Sequence, residues 1–173
     1  MKKILSVVLL LALAAGSPAL ATEMTPEEAM QRMMNCVSCR PYMEYPELGS
    51  SIRYDIFKTK TGFVSAFMLA DESLVPEFRE LELKTEASRE EAMKIPPSEY
   101  GKLLCPFCEG MFALMMRGDV DLEEFRTHMG TVALATSDTK DGIEALHEYA
   151  EMAKTTSKLL DEAAAKMHEG HEQ

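Results

Sequence analysis

Two CxxC pairs, placed at matching points of two similar halves, constrain the fold of this 173-residue chain more than any other feature. The pairs begin at Cys36 and Cys105, which are 69 residues apart. About 25 residues after each pair, a glycine opens an apolar run: Gly62 in the first half and Gly130 in the second. Each run passes through an acidic turn into a long helical pattern. Four features in one order at a nearly constant offset indicate an internal duplication.

The local patterns predict the elements of each half. Residues 52–58 alternate weakly and, together with the apolar run at 62–69, predict a β-hairpin. The counterpart of its first strand, residues 122–129, has a poorer strand pattern that a helix also fits. Apolar positions recur every three or four residues through 74–95 and 143–167, which predicts a long amphipathic helix in each half. Thr25, Pro26 and Glu28 form the start signal of an earlier helix that leads into Cys36.

These elements predict an α+β fold of two tandem related units, each made of a CxxC segment, a β-hairpin and a long helix. A relationship to the ferredoxin-like fold is one form that this arrangement can take. We place the units at residues 22–96 and 97–167, because Pro96 and Pro97 end the first long helical pattern. Residues 168–173 are predicted to form an acidic tail.

The first 21 residues have the features of a secretory signal peptide. Lys2 and Lys3 precede an apolar run at residues 4–15, and small residues at 19 and 21 predict cleavage after Ala21. The apolar run is shorter than the roughly 20 residues that a membrane-spanning helix needs. The residue directly after the cleavage site is Thr22 and not a cysteine, so a lipid anchor is not indicated. We therefore expect a soluble mature chain, without a membrane span, in the periplasm or secreted.

The charge of the chain argues against two classes of partner. The formal net charge is −11, and removal of Lys2 and Lys3 with the signal peptide makes it −13. Nucleic acids and anionic membrane surfaces are bound by basic faces, which a chain this acidic is not expected to have. The sequence also has no Ser-His-Asp order, no HExxH motif and no phosphate-binding loop, so we expect a binding protein rather than an enzyme.

The four cysteines are the candidate functional residues. In a CxxC pair the two-residue gap lets both sulfurs bind one cation, and two pairs make the tetrahedral four-thiolate site that is typical of zinc. Two related halves can bring Cys36, Cys39, Cys105 and Cys108 together about a twofold axis. Thiolate and thioether ligands also select copper(I). The 14 methionines of the chain therefore give copper(I) modest support. We therefore predict a site for zinc or copper(I), with Met34 and His128 as candidate additional ligands.

Short resemblances to known families give further expectations. The segment from Met34 to Cys39 resembles the Met-x-Cys-x-x-Cys loop of heavy-metal-associated domains, which pass copper(I) between proteins; this implies that Cys36 and Cys39 are metal ligands. The segment Cys105-Pro106-Phe107-Cys108 resembles the active-site pair of glutaredoxin-like and thioredoxin-fold oxidoreductases. The chain as a whole resembles an uncharacterised family of exported bacterial proteins with two CxxC motifs.

Two other functions use the same cysteines. A thiol–disulfide redox protein would have Cys105 as an exposed attacking thiol, because a CxxC pair at a helix N-terminus has a lowered thiol pKa. An interaction or scaffold module would instead be stapled by two disulfides, with three connectivities open. In that module, the long helices would bind a partner or a second copy of the chain. Sulfurs that converge in one coordination sphere favour the metal site, and two distant pairs favour either alternative.

Overall fold

The structure, a computed structural model, describes residues 24–169 and the side chains of residues 24–166. The predicted signal peptide and most of the predicted tail lie outside these residues. Six α-helices are described: α1 (Pro26–Asn35), α2 (Pro46–Ser51), α3 (Val75–Ala92), α4 (Tyr100–Leu103), α5 (Pro106–Met115) and α6 (Lys140–Glu169). Four strands are described: β1 (Ile52–Lys58), β2 (Gly62–Leu69), β3 (Asp121–Thr127) and β4 (Gly130–Thr136). The predicted α+β class is confirmed.

The strands form one antiparallel sheet in the order β1-β2-β4-β3. Each half of the chain supplies a hairpin, β1–β2 or β3–β4, and the two hairpins meet where β2 pairs with β4. The pattern at 122–129, which fitted a strand poorly, belongs to an edge strand. Its alternating side chains are mostly exposed, so it has little of the hydrophobic contrast by which strands are detected.

The pairing of β2 with β4 has the symmetry that a duplication produces. Ser65 pairs with Ala133, which lies 68 residues further along, and residues on either side pair as mirror partners. A twofold axis normal to the sheet at this pair therefore exchanges the two hairpins. The glycines that begin β2 and β4 obey the same symmetry: a Cβ on Gly62 would overlap the carbonyl oxygen of Ala135, and a Cβ on Gly130 would overlap that of Phe67. Both positions require a residue without a side chain.

The long helices pack on one face of this sheet. Phe63 of β2 is fully buried and stacks on Tyr149 of α6, with their ring centroids 5.4 Å apart. Phe78 and Leu81 of α3 are buried beside Leu69 of β2 in a second cluster. Full burial of such side chains stabilises a fold by about 1.5–3 kcal/mol each, so these two clusters fix both long helices against the sheet.

Local signals set the ends of the helices. Thr25 and Glu28 form the predicted capping box at the start of α1, with each side chain bonded to the other's backbone N–H. The first long helix, α3, ends at Ala92, a few residues before Pro96. In the second half, α6 continues to Glu169 and so includes the first two residues of the predicted tail.

Candidate metal centre

Each CxxC pair is positioned by the end of a helix. Cys36 is the C-terminal cap of α1, and the chain then turns so that the backbone N–H groups of Cys39 and Arg40 both bond to the Cys36 carbonyl oxygen. Cys105 is the N-terminal cap of α5, and Cys108 lies in the first turn of that helix. The pairs are held against each other by the backbone, because the N–H of Val37 donates to a carbonyl oxygen just before Cys105, at 3.0 Å.

The four sulfurs converge on one point. All four Sγ atoms lie within 4.8 Å of one another. The Sγ of Cys39 lies 3.7 Å from that of Cys105 and 3.4 Å from that of Cys108. All four cysteines are free thiols. A tetrahedral zinc with Zn–S bonds of about 2.3 Å places its sulfurs about 3.8 Å apart, so these separations fit one ion held by both halves.

The convergence joins matching positions of the two halves. Cys36 and Cys105 begin the two CxxC pairs and Cys39 and Cys108 end them, each 69 residues apart, which is one more than the 68-residue offset of the paired strands. Their local settings differ, because Cys36 follows the end of α1 whereas Cys105 precedes the start of α5. Matching sulfurs nevertheless lie at most 4.8 Å apart, so each half supplies one pair to the same site.

The site is withdrawn from solvent. Cys36 and Cys105 are 1% and 3% exposed, and Cys108 is also buried. Cys39 is partly exposed and forms the side of the site that faces solvent. Tyr100, Leu104 and other apolar side chains pack around the sulfurs in a third hydrophobic cluster. Burial of this kind excludes competing water ligands and strengthens electrostatic interactions inside the site.

Four thiols this close cannot all ionise without a cation. Hydrogen bonds with Cys105, Cys108 and Cys39 lower the pKa of Cys36, whereas hydrogen bonds with Cys105 and Cys108 raise the pKa of Cys39. In the second pair, the hydrogen bond between the two thiols lowers the pKa of Cys105 and raises that of Cys108. Within each pair, the pKa values of the two thiols are therefore moved in opposite directions. A bound dication would displace the remaining protons, because it supplies the positive charge that the buried site lacks.

Arg32 is a cationic residue near the site that the sequence analysis did not identify. Arg32 of α1 donates to the carbonyl oxygens of Gly101 and Leu104, both at 3.3 Å, and forms an ion pair with Glu109 of α5. It therefore ties the helix before the first CxxC pair to the segment around the second. The only signal in the sequence was that Arg32 lies one turn before Cys36, which does not reveal a contact 69 residues away.

The two candidate additional ligands lie in different surroundings from the thiols. The Met34 side chain is 42% exposed at the end of α1, while Cys36 is buried two residues later. His128 occupies the turn between β3 and β4, and its Nε2 lies 3.3 Å from a carboxylate oxygen of Glu72. The group that the structure brings together consists of the four cysteines alone, among the described His, Cys, Asp and Glu residues.

None of the described helices combines the length and the apolar character that crossing a membrane requires. Comparison with known proteins gives no family: no family model matches the chain, and no match is found among curated proteins or among solved structures. The functional argument therefore depends on the geometry of the four thiols.

Proposed function

We propose that this chain is an exported metal-binding protein that holds one zinc ion with the thiolates of Cys36, Cys39, Cys105 and Cys108. The observation that carries the proposal is the convergence of four free sulfurs within 4.8 Å, two from each half of the chain. In this proposal the ion joins the halves, so metal binding and folding are coupled. The protein acts as a binding protein, with no reaction of its own.

The donor set favours a single tetrahedral ion such as zinc over a multi-iron cluster. Four sulfurs in a tetrahedral arrangement are typical of zinc or of iron–sulfur centres. An iron–sulfur cluster divides its cysteines among several irons, which needs wider separations than the 3.4 and 3.7 Å found here. Copper(I) handling, which the resemblance of Met34 to Cys39 implies, is the alternative metal function. The exposed Met34 side chain is what favours it, since thioethers bind copper(I).

The two non-metal functions receive less support. A redox protein needs an accessible attacking thiol, and Cys105 is 3% exposed although its pKa is lowered through its hydrogen bond with Cys108. Stapling by disulfides needs sulfurs about 2.05 Å apart, and the two sulfurs that Cys39 approaches lie 3.4 and 3.7 Å away. Two separate cysteine pairs would serve either function equally well. Neither function therefore explains why all four sulfurs meet.

Native mass spectrometry tests the proposal. The mature protein is isolated from the periplasm without reductant or chelator, and its mass is measured intact. We expect a mass raised by one zinc ion, less the protons of the ligating thiols. A mass raised by one copper ion would instead support the copper(I) function. A mass lower by four hydrogens, with no metal, would refute the metal site and indicate two disulfides.

Substitutions in both pairs show whether the site is shared. Cys39→Ser and Cys108→Ser should each abolish stoichiometric zinc binding, because each half supplies only two ligands. Ser38→Ala is the matched control, since Ser38 is buried in the same turn. It should keep one zinc per chain. Cobalt(II) offers a second readout, because its visible spectrum distinguishes a tetrahedral four-thiolate site from one with fewer sulfurs. Full zinc stoichiometry in both cysteine variants would exclude a shared site.

A further inference from the structure

We infer that the uncovered face of the sheet is a docking surface for a basic amphipathic helix, supplied by another protein. We call this surface the open face, and the opposite side of the sheet, which packs against the helices, the covered face. The apolar members of the open face are the strand residues Phe57, Val64, Ala66, Met68, Phe125, Val132 and Leu134. The open face shares no residue with the cysteine site, so this inference does not depend on metal binding.

The two faces of the sheet differ in how their apolar side chains are covered. Every strand residue in a described hydrophobic cluster, such as Ile56, Phe63 and Ala135, lies on the covered face. Phe63 is fully buried there, whereas Phe57 and Phe125 on the open face are 61% and 50% exposed. Large apolar side chains gathered on one uncovered face are typical of an interaction surface.

The covered face shows what a helix contributes when it docks on this sheet. Three strand residues of that face are charged, and each forms an ion pair with a long helix. The pairs are Lys58 with Glu151 of α6, Glu124 with Arg89 of α3, and Arg126 with Glu86 of α3. A docked helix therefore supplies both the apolar side chains that cover the sheet and the charges that pair with its strands.

The charged residues of the open face have no such partners. Asp55, Asp121 and Glu123 are exposed, and none of them forms an ion pair within the part of the chain that the structure describes. Arg53 is the one basic strand residue of this face, and it donates to the backbone carbonyl oxygens of Ser50 and Ile52. The open face thus presents three unpaired carboxylates beside exposed apolar side chains, which a partner with basic side chains complements.

The carboxylates flank the apolar side chains in a regular way. One row across the sheet runs Asp55, Ala66, Val132, Phe125, and the next runs Phe57, Val64, Leu134, Glu123. An apolar band therefore crosses the face from Phe57 to Phe125, with Asp55 on one side and Glu123 on the other. With a rise of about 3.3 Å per residue and a strand spacing of about 4.8 Å, the band is about 16 Å long and each carboxylate lies about 6 Å from its midline.

These dimensions fit one helix. A helix with its side chains has a radius of about 5–6 Å, and it covers the length of the band in about three turns. An amphipathic helix laid along the band places its apolar stripe on the band and its two basic flanks over Asp55 and Glu123. The same combination of an apolar stripe and flanking charges holds α3 and α6 on the covered face.

The charge of the whole chain selects the same partner. The chain that begins at Thr22 has a formal charge of −13, so it attracts a basic helix from a distance and repels a second copy of itself or an anionic membrane. Four strands of seven to eight residues cover roughly 440 Å². A helix on this footprint buries about twice that area from both partners, which is the size of weak, transient complexes. We therefore expect reversible binding that is sensitive to salt.

Fluorescence anisotropy of a labelled peptide tests this inference on the chain that begins at Thr22. The probe is an amphipathic peptide of about 14 residues, with leucine along one helical stripe and lysine elsewhere. We expect a dissociation constant of roughly 10–100 μM at about 20 mM NaCl, weakened about tenfold at about 300 mM NaCl because salt screens the charges. The matched peptide with glutamate in place of every lysine should not bind.

Charge variants separate the open face from the general acidity of the chain. Asp55→Asn together with Glu123→Gln should weaken binding of the lysine peptide about fivefold, because both flanking carboxylates are neutralised. Glu90→Gln together with Glu91→Gln is the matched control, since it removes the same charge from exposed positions of α3. This control should change binding less than about twofold, as expected for screened charges far from the contact.

The apolar band is tested in the same assay. Phe57→Ser and Phe125→Ser should each weaken binding about tenfold, because each removes a large apolar side chain from the contact. Leu83→Ser is the matched control: Leu83 is 67% exposed on α3, away from the open face, and should leave binding unchanged. Circular dichroism and the urea midpoint of each variant show that the fold is kept.

Three results would overturn the inference. The first is equal loss of binding in the two charge variants, which would mean that the peptide senses only the net charge. The second is binding of the glutamate peptide as tight as that of the lysine peptide, which would remove the role of the carboxylates. The third is self-association of the chain in sedimentation equilibrium that Phe57→Ser abolishes, which would assign the open face to a second copy.

Discussion

The seam between β2 and β4 gives the sharpest test of the fold, because two glycines hold it at equivalent points. In Gly62→Ala the new Cβ would overlap the Ala135 carbonyl oxygen, and in Gly130→Ala it would overlap that of Phe67. The nearest atoms are backbone, so no flexible side chain can move aside. The two strands must separate by about 1 Å, which weakens about two ladder hydrogen bonds and the packing around them. At roughly 1 kcal/mol for each of these losses, we expect each substitution to lower the free energy of unfolding by about 3 kcal/mol.

The two substitutions should add. Gly130 pairs with Met68, six residues along β2 from Gly62, so the two glycines lie about 20 Å apart. Sites at this separation are usually independent, which gives a loss of about 6 kcal/mol for the double variant. Domains have total stabilities of about 5–15 kcal/mol, so the metal-free double variant should lose at least about two fifths of its stability. Zinc should restore part of it, because an ion that binds only the folded chain stabilises that chain.

Urea unfolding followed by circular dichroism, with chelator and with zinc, measures both effects. Gly49→Ala and Gly118→Ala are matched controls, because no described atom lies within 4 Å of a Cβ at either position. Gly49 lies inside α2, so its replacement should be neutral or slightly stabilising. The reasoning is refuted if either seam variant loses less than about 0.5 kcal/mol, the usual range of a neutral surface substitution. It is also refuted if one seam variant is neutral and the other is not, because the symmetry requires similar effects.

Two further predictions concern single side chains. Arg32→Met removes the hydrogen bonds that tie α1 to the segment before Cys105, so we expect zinc to be released to a competing chelator about tenfold faster, while exposed Arg40→Met serves as the control. Unchanged release from the Arg32 variant would show that this arginine does not support the site. The second prediction concerns pH: Arg117, and after it a threonine hydroxyl, lower the pKa of Asp119 from 3.8 to about 2. A lowered pKa in the folded chain means that the interaction stabilises the protein above pH 3.8 and is lost as the pH falls towards 2. Compared with Asp119→Asn in thermal unfolding, the wild-type chain should therefore lose more stability across this interval, and parallel curves would contradict the assignment.

Much of the fold was accessible from sequence, because strong local signals coincide with its elements. The glycine that opens each apolar run predicted β2 and β4 with the bounds that the structure shows. The capping box at Thr25 predicted the start of α1. These signals are local, so they can be read without knowledge of the rest of the chain. The edge strand β3 was harder, because its exposed side chains lack a clear hydrophobic alternation.

The candidate site could be predicted only in part from such local signals. The matched spacing of the CxxC pairs predicted that the four sulfurs can meet, and the structure brings them together. The spacing did not predict how the halves join, since nothing local specifies that β2 pairs with β4. The short helix α2 was also missed, because Pro46 is its only clear start signal and it is six residues long. The hydrogen bonds of Arg32 depend on the same docking of the halves and were equally invisible.

The meeting of two matching CxxC pairs has a consequence for the origin of the chain. A single half would own only two thiols, too few for a tetrahedral ion, and would leave the edge of its β2-type strand unpaired. Two copies of such a half would solve both problems at once, because pairing those edges brings two CxxC segments to the same site. The chain thus has the arrangement that the fusion of two copies of a half-length ancestor would leave. Such a fusion would let matching positions diverge, and the two halves differ at Met34 and Leu103, and at Arg53 and Asp121.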